Sequence, residues 1–201
     1  MKVILASASA RRAEILRAAG IPFETRSTDV DESPRAGEAV EALVLRLAEA
    51  KARAAVASSK SRNETAIVIA ADTVVDLDGE VLGKPASVRV AAEMLRKLSG
   101  RTHRVLTGLS VIRVPHGVAR LELEATQVRF AALTAEEIGR YAATGEPLDK
   151  AGAYAIQGIA GRYVERIEGC YFNVVGLPLA RLYRILKDLG WQPDEPKLER
   201  Q

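Results

Sequence analysis

Apolar runs alternate with amphipathic segments through the first half of the chain. Residues 3–6 read as a buried strand, and apolar positions recur at helical spacing over residues 11–19 and from about 39 to 57. Residues 23–27 form another strand-like run, and "AIVIAADTVV" from Ala66 is a near-continuous apolar run rich in β-branched residues. This alternation predicts an α/β fold whose central strand is buried on both faces.

The second half departs from that rhythm. Ser87 begins a helix that ends near residue 98, and "THRVLTGLSVIRV", a Pro-His-Gly turn and "VARLELEATQVRF" predict a long antiparallel hairpin. The sheet is therefore expected to be mixed. Thr134 and Glu137 form a capping-box pattern for a helix that ends near residue 144. The remaining predictions are a functional loop at "GEPLDKAGAYAIQG", strands at 163–167 and 171–175, a helix at 179–189 and a disordered tail beyond Pro193.

Composition limits the class of protein. A hydrophobic share of 48% is ordinary for a globular protein, and Lys+Arg of 29 against Asp+Glu of 26 leaves a net charge of only +3. This balance does not predict a surface that coats nucleic acid. The single cysteine, Cys170, excludes an internal disulfide, and the presence of only two histidines, His103 and His116, disfavours a zinc site. No apolar run suits a signal peptide or a membrane span, so we expect a cytoplasmic protein.

Two arginines occupy an unusual place. Arg11 and Arg12 lie in the first turn of the predicted helix, where exposed N–H groups already carry positive partial charge and acidic residues are favoured. Helical spacing puts Arg12 on the inward stripe, and Ser7 and Ser9 precede it in a short turn. Two interpretations stay open: these four residues form an anion site, or both arginines are solvated at a frayed helix end.

Lys51 is a second indication of a charged cleft. It falls in the middle of the apolar stripe of the second predicted helix, four residues after Leu47. A lysine at such a position either extends to the rim of the core or holds an anion, and the cost of burying an unpaired charge favours the anion.

Carboxylates and a further lysine complete the candidate groups. The sequence places Asp72 at the end of the long apolar strand, where open α/β sheets present functional groups, although a carboxylate that satisfies nearby backbone N–H groups is an equally good interpretation. The acidic pair Asp31 and Glu32 lies in an early polar loop, and Lys84 precedes a proline in "GKP". Carboxylates suit Mg²⁺, and a metal with several cations is typical of phosphoryl chemistry. A solvated acidic loop also accounts for Asp31.

Other catalytic classes find no support. The chain has no G-x-x-x-x-G-K-[ST], no G-x-G-x-x-G after a strand and no Ser/His/Asp pattern. We interpret Cys170 as a core residue of an apolar strand, so covalent catalysis is not expected. His103 is interpreted as a hydrogen-bonded structural histidine.

Seven ordered segments resemble the Maf family of nucleoside triphosphate pyrophosphatases over residues 3 to about 189: "LASASARR", "LAEAKA", "ADTVV", "GKP", "LSGRTHRVLTG", "EPLDKAGAYAIQG" and "VVGLPL". The resemblance implies one domain over residues 1–192, with a polar tail at 193–201. It implies a mixed α/β fold similar to the inosine triphosphatase class, in which helices flank an elongated central sheet and two lobes enclose a cleft. It also implies hydrolysis of a nucleoside triphosphate to monophosphate and pyrophosphate with Mg²⁺ or Mn²⁺. A homodimer is a further implication, because relatives commonly form one.

The resemblance also implies roles for individual residues. Asp72 matches the family's proton acceptor, and Asp31, together with Asp72, is the candidate metal-side carboxylate. The groups that match phosphate-binding positions are Ser7, Ser9, Arg11, Arg12, Lys51 and Lys84. The family branch that acts on dTTP and UTP carries three marker residues, here Arg11, Thr73 and Gln157. Ala10 replaces the family's usual proline, which we expect to have a small effect.

Alternative functions stay open. One is a non-hydrolytic regulator of septum formation that binds nucleotide or nucleic acid; others are a pyrophosphatase specific for 7-methyl-GTP and a phosphatase that releases orthophosphate. Three Phe, one Trp and five Tyr without a basic-aromatic motif argue against a nucleic-acid partner. Gln157 offers a donor and an acceptor for the O4/N3 edge of uracil or thymine, and a relative specific for 7-methyl-GTP is expected to differ there. The sequence does not distinguish house-cleaning of nucleotides from a division-linked role.

Overall fold

One mixed sheet organises the protein. The computed structural model describes residues 1–58 and 65–193. Within these ranges seven strands pair in the order β2-β1-β3-β5-β6-β7, with β4 paired to the end of β3. The strands are β1 (Lys2–Leu5), β2 (Glu24–Thr25), β3 (Ala66–Leu77), β4 (Glu80–Leu82), β5 (Thr102–Val114), β6 (Val118–Phe130) and β7 (Val164–Glu168). The helices are α1 (Ala10–Ala18), α2 (Val40–Ala57), α3 (Val88–Leu98), α4 (Ala135–Ala143), α5 (Tyr171–Val175) and α6 (Leu179–Asp188).

The central strand β3 changes neighbours along its length. On one side, β3 pairs antiparallel with β5 over residues 66–76. On the other side, residues 66–69 pair in parallel with β1, and residues 75–77, beyond the end of β1, pair antiparallel with β4. The strand is buried along nearly its whole length, as its apolar sequence predicts. The prediction that Asp72 ends this strand is wrong, because β3 continues to Leu77 as the partner of β5. Asp72 lies in mid-strand, just past the last residue that pairs with β1.

The two largest hydrophobic clusters among the described residues adjoin along β3. One packs β1 and the first half of β3 against α1 and α6, and it includes Leu16, Ile69 and Leu186. The other packs the far end of β3 against α3 and α4, and it includes Leu95 and Tyr141. The predicted mixed α/β fold with two lobes is confirmed, since each core is built around a different stretch of the same strand.

Helix α2 lies directly against the sheet at a glycine. Gly108 of β5 has no side chain, and a Cβ there would be 2.2 Å from the backbone oxygen of Val44 in α2. Gly108 is paired with Asp72 in the register of β3 and β5. The close approach therefore brings α2, and Lys51 two turns further along it, to the side of Asp72.

Helix caps agree with the sequence. The Ser87 side chain accepts a hydrogen bond from Val90 N at the start of α3, and Thr134 with Glu137 forms the predicted capping box of α4. The long hairpin pairs without interruption from Thr102 to Arg113, as predicted.

Within the two described ranges, none of the helices is long and apolar enough to cross a membrane.

The predicted strand at residues 171–175 is wrong, because these residues form α5. A short apolar run fits either element by periodicity alone. The Asn173 side chain decides the matter: its amide donates to Val105 O at 2.9 Å and to Thr126 Oγ1 at 3.0 Å, which fixes the short helix against the hairpin. Cys170 therefore precedes a helix and is half-buried, instead of lying in a core strand.

The predicted functional loop is compact. It contains two 3-10 turns, Glu146–Asp149 and Ala151–Ala153, and a third, Ile159–Tyr163, follows it directly. The predicted disorder of the tail falls on residues 194–201, and these lie outside the described residues, as do residues 59–64 of the polar spacer.

Candidate active site

A cleft of about 790 Å³ opens beside the middle of β3. Its walls come from the turn before α1, from α2, from β3, from the "GKP" turn and from the functional loop. The predicted site residues that line it are Ser7, Ser9, Arg11, Arg12, Lys51, Asp72, Thr73, Lys84 and Gln157. The structure thus brings together groups that are up to 150 positions apart in the sequence, and only Asp31 of the predicted set is absent from the lining.

The Arg12 guanidinium is held by neutral oxygen atoms. Its Nε donates to Gly176 O at 2.8 Å, Nη2 to Thr73 Oγ1 at 3.1 Å and Nη1 to Ser7 Oγ at 3.2 Å. Burial lowers the pKa of Arg12. A guanidinium has five N–H donors, so two of them stay available after these three bonds. The positive charge at the start of α1 is fixed in place and ready to receive an anion.

Hydrogen bonds also order the turn before α1. Ser9 is the N-cap, with its side chain accepting from Arg12 N, and the Ser7 hydroxyl accepts from Ser9 N at 3.1 Å. The first turn of α1 contains no acidic residue. Arg11 is partly exposed, and its Nη1 lies 3.7 Å from Asp149 Oδ2 across the mouth of the cleft. An anion at this helix start would meet two arginines and the positive end of the helix dipole.

Lys51 links two carboxylates. Its Nζ lies 2.6 Å from Asp72 Oδ1 and 2.6 Å from Glu32 Oε1. The Lys51 and Asp72 side chains are only 12% and 10% exposed, whereas the Glu32 side chain is 59% exposed. The second oxygen of Asp72 has no hydrogen bond from the described residues. It is therefore available to a water molecule or a ligand in the cleft.

Asp31 lies outside the cleft. It is exposed, its Oδ1 accepts from Ser33 N at 2.9 Å, and hydrogen bonds from Ser33 lower its pKa. The neighbouring Glu32 lines the cleft and contacts Lys51 instead. The sequence singled out the acidic pair as a whole, but a loop without periodicity does not indicate which of two adjacent side chains turns inward. The backbone of the loop decided this, and the carboxylate in the cleft beside Asp72 is Glu32.

Three further predicted residues differ in their surroundings. Lys84 and Gln157 are exposed in the cleft, and neither side chain makes a hydrogen bond or ion pair within residues 1–58 and 65–193. Thr73 is engaged: beyond Arg12, its Oγ1 lies 2.8 Å from Thr107 Oγ1. Thr73 therefore orients Arg12, while Lys84 and Gln157 are free to contact a ligand.

Sequence reasoning missed several residues of the site. Thr107 is fully buried on β5 and supports Thr73; it lies in the matched segment "LSGRTHRVLTG", but the sequence assigned it no role. Asp149 and Lys150 line the cleft, and a hydrogen bond from Lys150 lowers the pKa of Asp149. Both lie in the segment predicted as a functional loop. The absence of helical or strand periodicity in that segment was the sequence feature that could have indicated them.

The acidic groups fit a divalent cation of the Mg²⁺ type. Glu32 Oε1 and Asp72 Oδ1 each lie 2.6 Å from Lys51 Nζ, so two carboxylate oxygens converge on one position that favours positive charge. Among the described residues there is no group of three or more His, Cys, Asp or Glu side chains that could hold a metal. Mg²⁺ is typically held by one or two carboxylates together with substrate phosphates and water, and these two carboxylates match that pattern.

Comparisons with known proteins identify the family and agree with the fold. The family model described as Maf-like protein matches residues 2–189. Similar curated relatives are named dTTP/UTP pyrophosphatase: one from Anaeromyxobacter sp. (strain Fw109-5) is 50% identical over 94% of this chain and 90% of its own length, and one from Symbiobacterium thermophilum is 49% identical over 94% and 95%. A solved structure of the Ham1 protein of Staphylococcus aureus matches with a TM-score of 0.50 at 17% identity, covering 94% of this chain and 100% of that one. At that identity the structural match shows the fold alone.

Proposed function

The chain belongs to the Maf family, and from this membership and its cleft we propose that it is a nucleoside triphosphate pyrophosphatase acting on dTTP and UTP. It cleaves the bond between the α- and β-phosphates and releases the nucleoside monophosphate and pyrophosphate. The relatives that are named for this activity align with nearly the whole chain at 46–50% identity. We also propose that residues 1–192 act as one catalytic unit, because the cleft takes residues from both lobes.

One observation carries the proposal: five cations, Arg11, Arg12, Lys51, Lys84 and Lys150, line one cleft against three carboxylates, Glu32, Asp72 and Asp149. Arg11 and Arg12 come from α1, Lys51 from α2 and Lys84 from the turn after β4, and all line the cleft that contains Asp72. Like charges repel one another, and Arg12 and Lys51 are also largely desolvated, so their gathering needs a cause. A triphosphate, with about four negative charges, is the kind of ligand that compensates such a cluster.

Asp72 is the proposed proton acceptor. Its Oδ1 is held by Lys51, and its other oxygen is open to the cleft. That oxygen orients a water molecule, takes its proton and so assists attack on the α-phosphorus. Arg12, Lys51 and Lys84 bind the phosphate oxygens and stabilise the negative charge that develops during the transfer. The reaction needs no covalent intermediate on this chain.

Glu32 and Asp72 are the residues that would hold Mg²⁺ or Mn²⁺. When bound, the cation supplies charge neutralisation and Lewis-acid polarisation to the phosphate groups. We place Glu32 in this role, where the sequence pointed to Asp31, because Glu32 alone of the pair lies in the cleft. Dependence on a divalent cation stays a prediction.

Base recognition is assigned to the functional loop. Gln157 lines the cleft and its amide is free, so it is available to the O4/N3 edge of uracil or thymine. Thr73 is a marker of the same family branch, and here it orients Arg12. Arg11 lies at the mouth of the cleft, facing Asp149 of this loop. A homodimer and a cytoplasmic location stay predictions.

Product analysis tests the proposal. The purified protein is incubated with Mg²⁺ and, separately, dTTP, UTP, CTP, ATP and 7-methyl-GTP, and pyrophosphate and orthophosphate are measured in each reaction. We expect equal amounts of monophosphate and pyrophosphate from dTTP and UTP, and at least tenfold less from the other three. Orthophosphate as the main product would identify a phosphatase instead. Tight nucleotide binding without hydrolysis would identify a regulator, and preferential cleavage of 7-methyl-GTP would overturn the assigned base.

A further inference from the structure

The Glu146 carboxylate connects the functional loop to helix α4. Its Oε1 accepts a hydrogen bond from the Tyr141 hydroxyl at 3.0 Å, and its two oxygens lie 3.1 and 3.2 Å from Ile159 N. Tyr141 is 1% exposed and belongs to the core between α3 and α4. Burial, followed by the hydrogen bond to Glu146, raises the pKa of Tyr141, so its hydroxyl keeps the proton that it donates. Glu146 forms no ion pair with the described residues, so no ion pair sets the position of its carboxylate next to Ile159 N.

Gly158 shows how closely the carboxylate is fitted to the loop. A Cβ at Gly158 would lie 2.3 Å from Glu146 Oε1, so a side chain at this position and the observed carboxylate exclude each other. Gly158 N donates to Ala155 O at 3.0 Å, which closes a tight turn around Gln157. The residue before Gly158 lines the cleft, and the residue after it is held by Glu146. The carboxylate therefore fixes the backbone directly beside Gln157.

A fixed backbone matters because Gln157 alone does not distinguish uracil from cytosine. Uracil and cytosine present opposite hydrogen-bond polarity at N3 and at the 4-position. A side-chain amide that rotates by 180° exchanges its donor and its acceptor, so it can match either base. Peptide groups do not exchange donor and acceptor. Discrimination therefore requires the loop's peptide groups to be held at a set distance from the base, and a site built in this way rejects the wrong base by leaving its buried polar groups unpaired.

We propose that Glu146 is a positioning residue for base discrimination, acting on Gln157 and its neighbouring peptide groups through the hydrogen bonds to Ile159. This inference rests on the proposed function, since it concerns the choice of base in that reaction. It does not concern the chemical step, because Glu146 does not line the cleft that contains Asp72 and the phosphate-binding cations.

The test compares the ratio of kcat/KM for UTP to kcat/KM for CTP in a set of variants. We expect Glu146→Ala to lower this ratio at least tenfold, because the loop loses its attachment to α4. Glu146→Gln keeps an oxygen acceptor for Ile159 N and is expected to retain the wild-type ratio within threefold. Tyr141→Phe removes one of the donors to Glu146 and is expected to lower the ratio two- to fivefold. Glu136→Ala, on the exposed side of α4 in a pair with Arg140, is the control and leaves the ratio unchanged.

The ratio separates positioning from general loss of stability. A lower melting temperature of Glu146→Ala with an unchanged ratio, or an equal loss of kcat/KM for both substrates, would overturn the proposal. If Glu146→Ala does not fold, the Tyr141→Phe ratio decides, and a wild-type value there overturns the proposal. Gln157→Ala separates the proposed function from the role of Glu146. Wild-type protein without pyrophosphatase activity or without preference for UTP refutes the proposed function, whereas a ratio that falls in Gln157→Ala but not in the Glu146 variants refutes only the role of Glu146.

Discussion

Lys51 Nζ lies 2.6 Å from Asp72 Oδ1, although the two residues are 21 positions apart and belong to a helix and a strand. Both side chains are nearly buried, with exposed fractions of 12% and 10%. Buried charges are tolerated when they are paired, and removal of one partner leaves the other uncompensated. In the proposed mechanism this pair links a phosphate-binding lysine to the proton acceptor.

Replacement of Asp72 tests the chemical step. Asp72→Asn keeps the shape of the side chain but removes the proton acceptor, so we expect kcat for UTP to fall at least 100-fold. Binding of a non-hydrolysable UTP analogue, measured by calorimetry, is expected to change less than fivefold. Turnover near the wild-type value in a folded Asp72→Asn protein would contradict the assignment.

Replacement of Arg12 tests the anion site at the start of α1. Arg12→Gln removes a buried charge whose three partners are neutral, and the affinity for the UTP analogue is expected to fall at least tenfold. Arg17→Gln is the matched control on the same helix, because Arg17 lies outside the cleft and stacks on the Phe23 ring at 5.6 Å. Equal losses in both variants would indicate a general effect of charge and not a site.

Removal of Lys51 tests the position assigned to the divalent cation. Lys51 already neutralises Glu32 and Asp72, so it competes with a metal for the same two carboxylates. Lys51→Met is expected to raise the affinity for Mn²⁺ without nucleotide at least fivefold, measured by electron paramagnetic resonance of free Mn²⁺. Lys84→Met, which removes a cleft lysine without a carboxylate partner, is expected to change it less than twofold. Weaker or unchanged Mn²⁺ binding in Lys51→Met would place the metal elsewhere.

His103 makes the stability of the fold depend on pH. Its ring is 2% exposed and contacts the Tyr154 hydroxyl at 2.8 Å, as expected of a structural histidine. Burial lowers the pKa of His103 to about 4. Between about pH 6.5 and pH 4 only the unfolded chain takes up this proton, so the free energy of unfolding decreases as the pH falls, by about 2 kcal/mol at pH 4.5.

The measurement is the free energy of unfolding by urea at pH 7 and pH 4.5. His103→Gln removes the titrating group and is expected to lose about 2 kcal/mol less between these pH values than the wild type. His116→Gln, in the exposed turn between β5 and β6, is the control and is expected to behave as the wild type. A His103→Gln protein with the wild-type pH dependence would refute this role.

Much of the fold follows from local sequence. The bounds of α2, α3 and α4 and the long hairpin agree with the predictions to within about a residue or two, because helical periodicity, caps and alternating strands are local signals. The error at residues 171–175 has the opposite cause, since a five-residue run has no length to show its period and the contacts of Asn173 with β5 and β6 are distant in sequence.

The sequence by itself determined which residue types the cleft would contain. Motifs can be recognised in the sequence, and so can charges at unusual positions, such as Arg12 in the first turn of a helix and Lys51 in an apolar stripe. Only the tertiary structure decided which partners they have. It placed Glu32 and not Asp31 beside Lys51, put Asp72 in mid-strand, and gave Arg12 the hydroxyls of Ser7 and Thr73 with the Gly176 carbonyl. The physical reason is that these contacts depend on the path of irregular loops and on the approach of α2 to Gly108, which packing sets and no local pattern records.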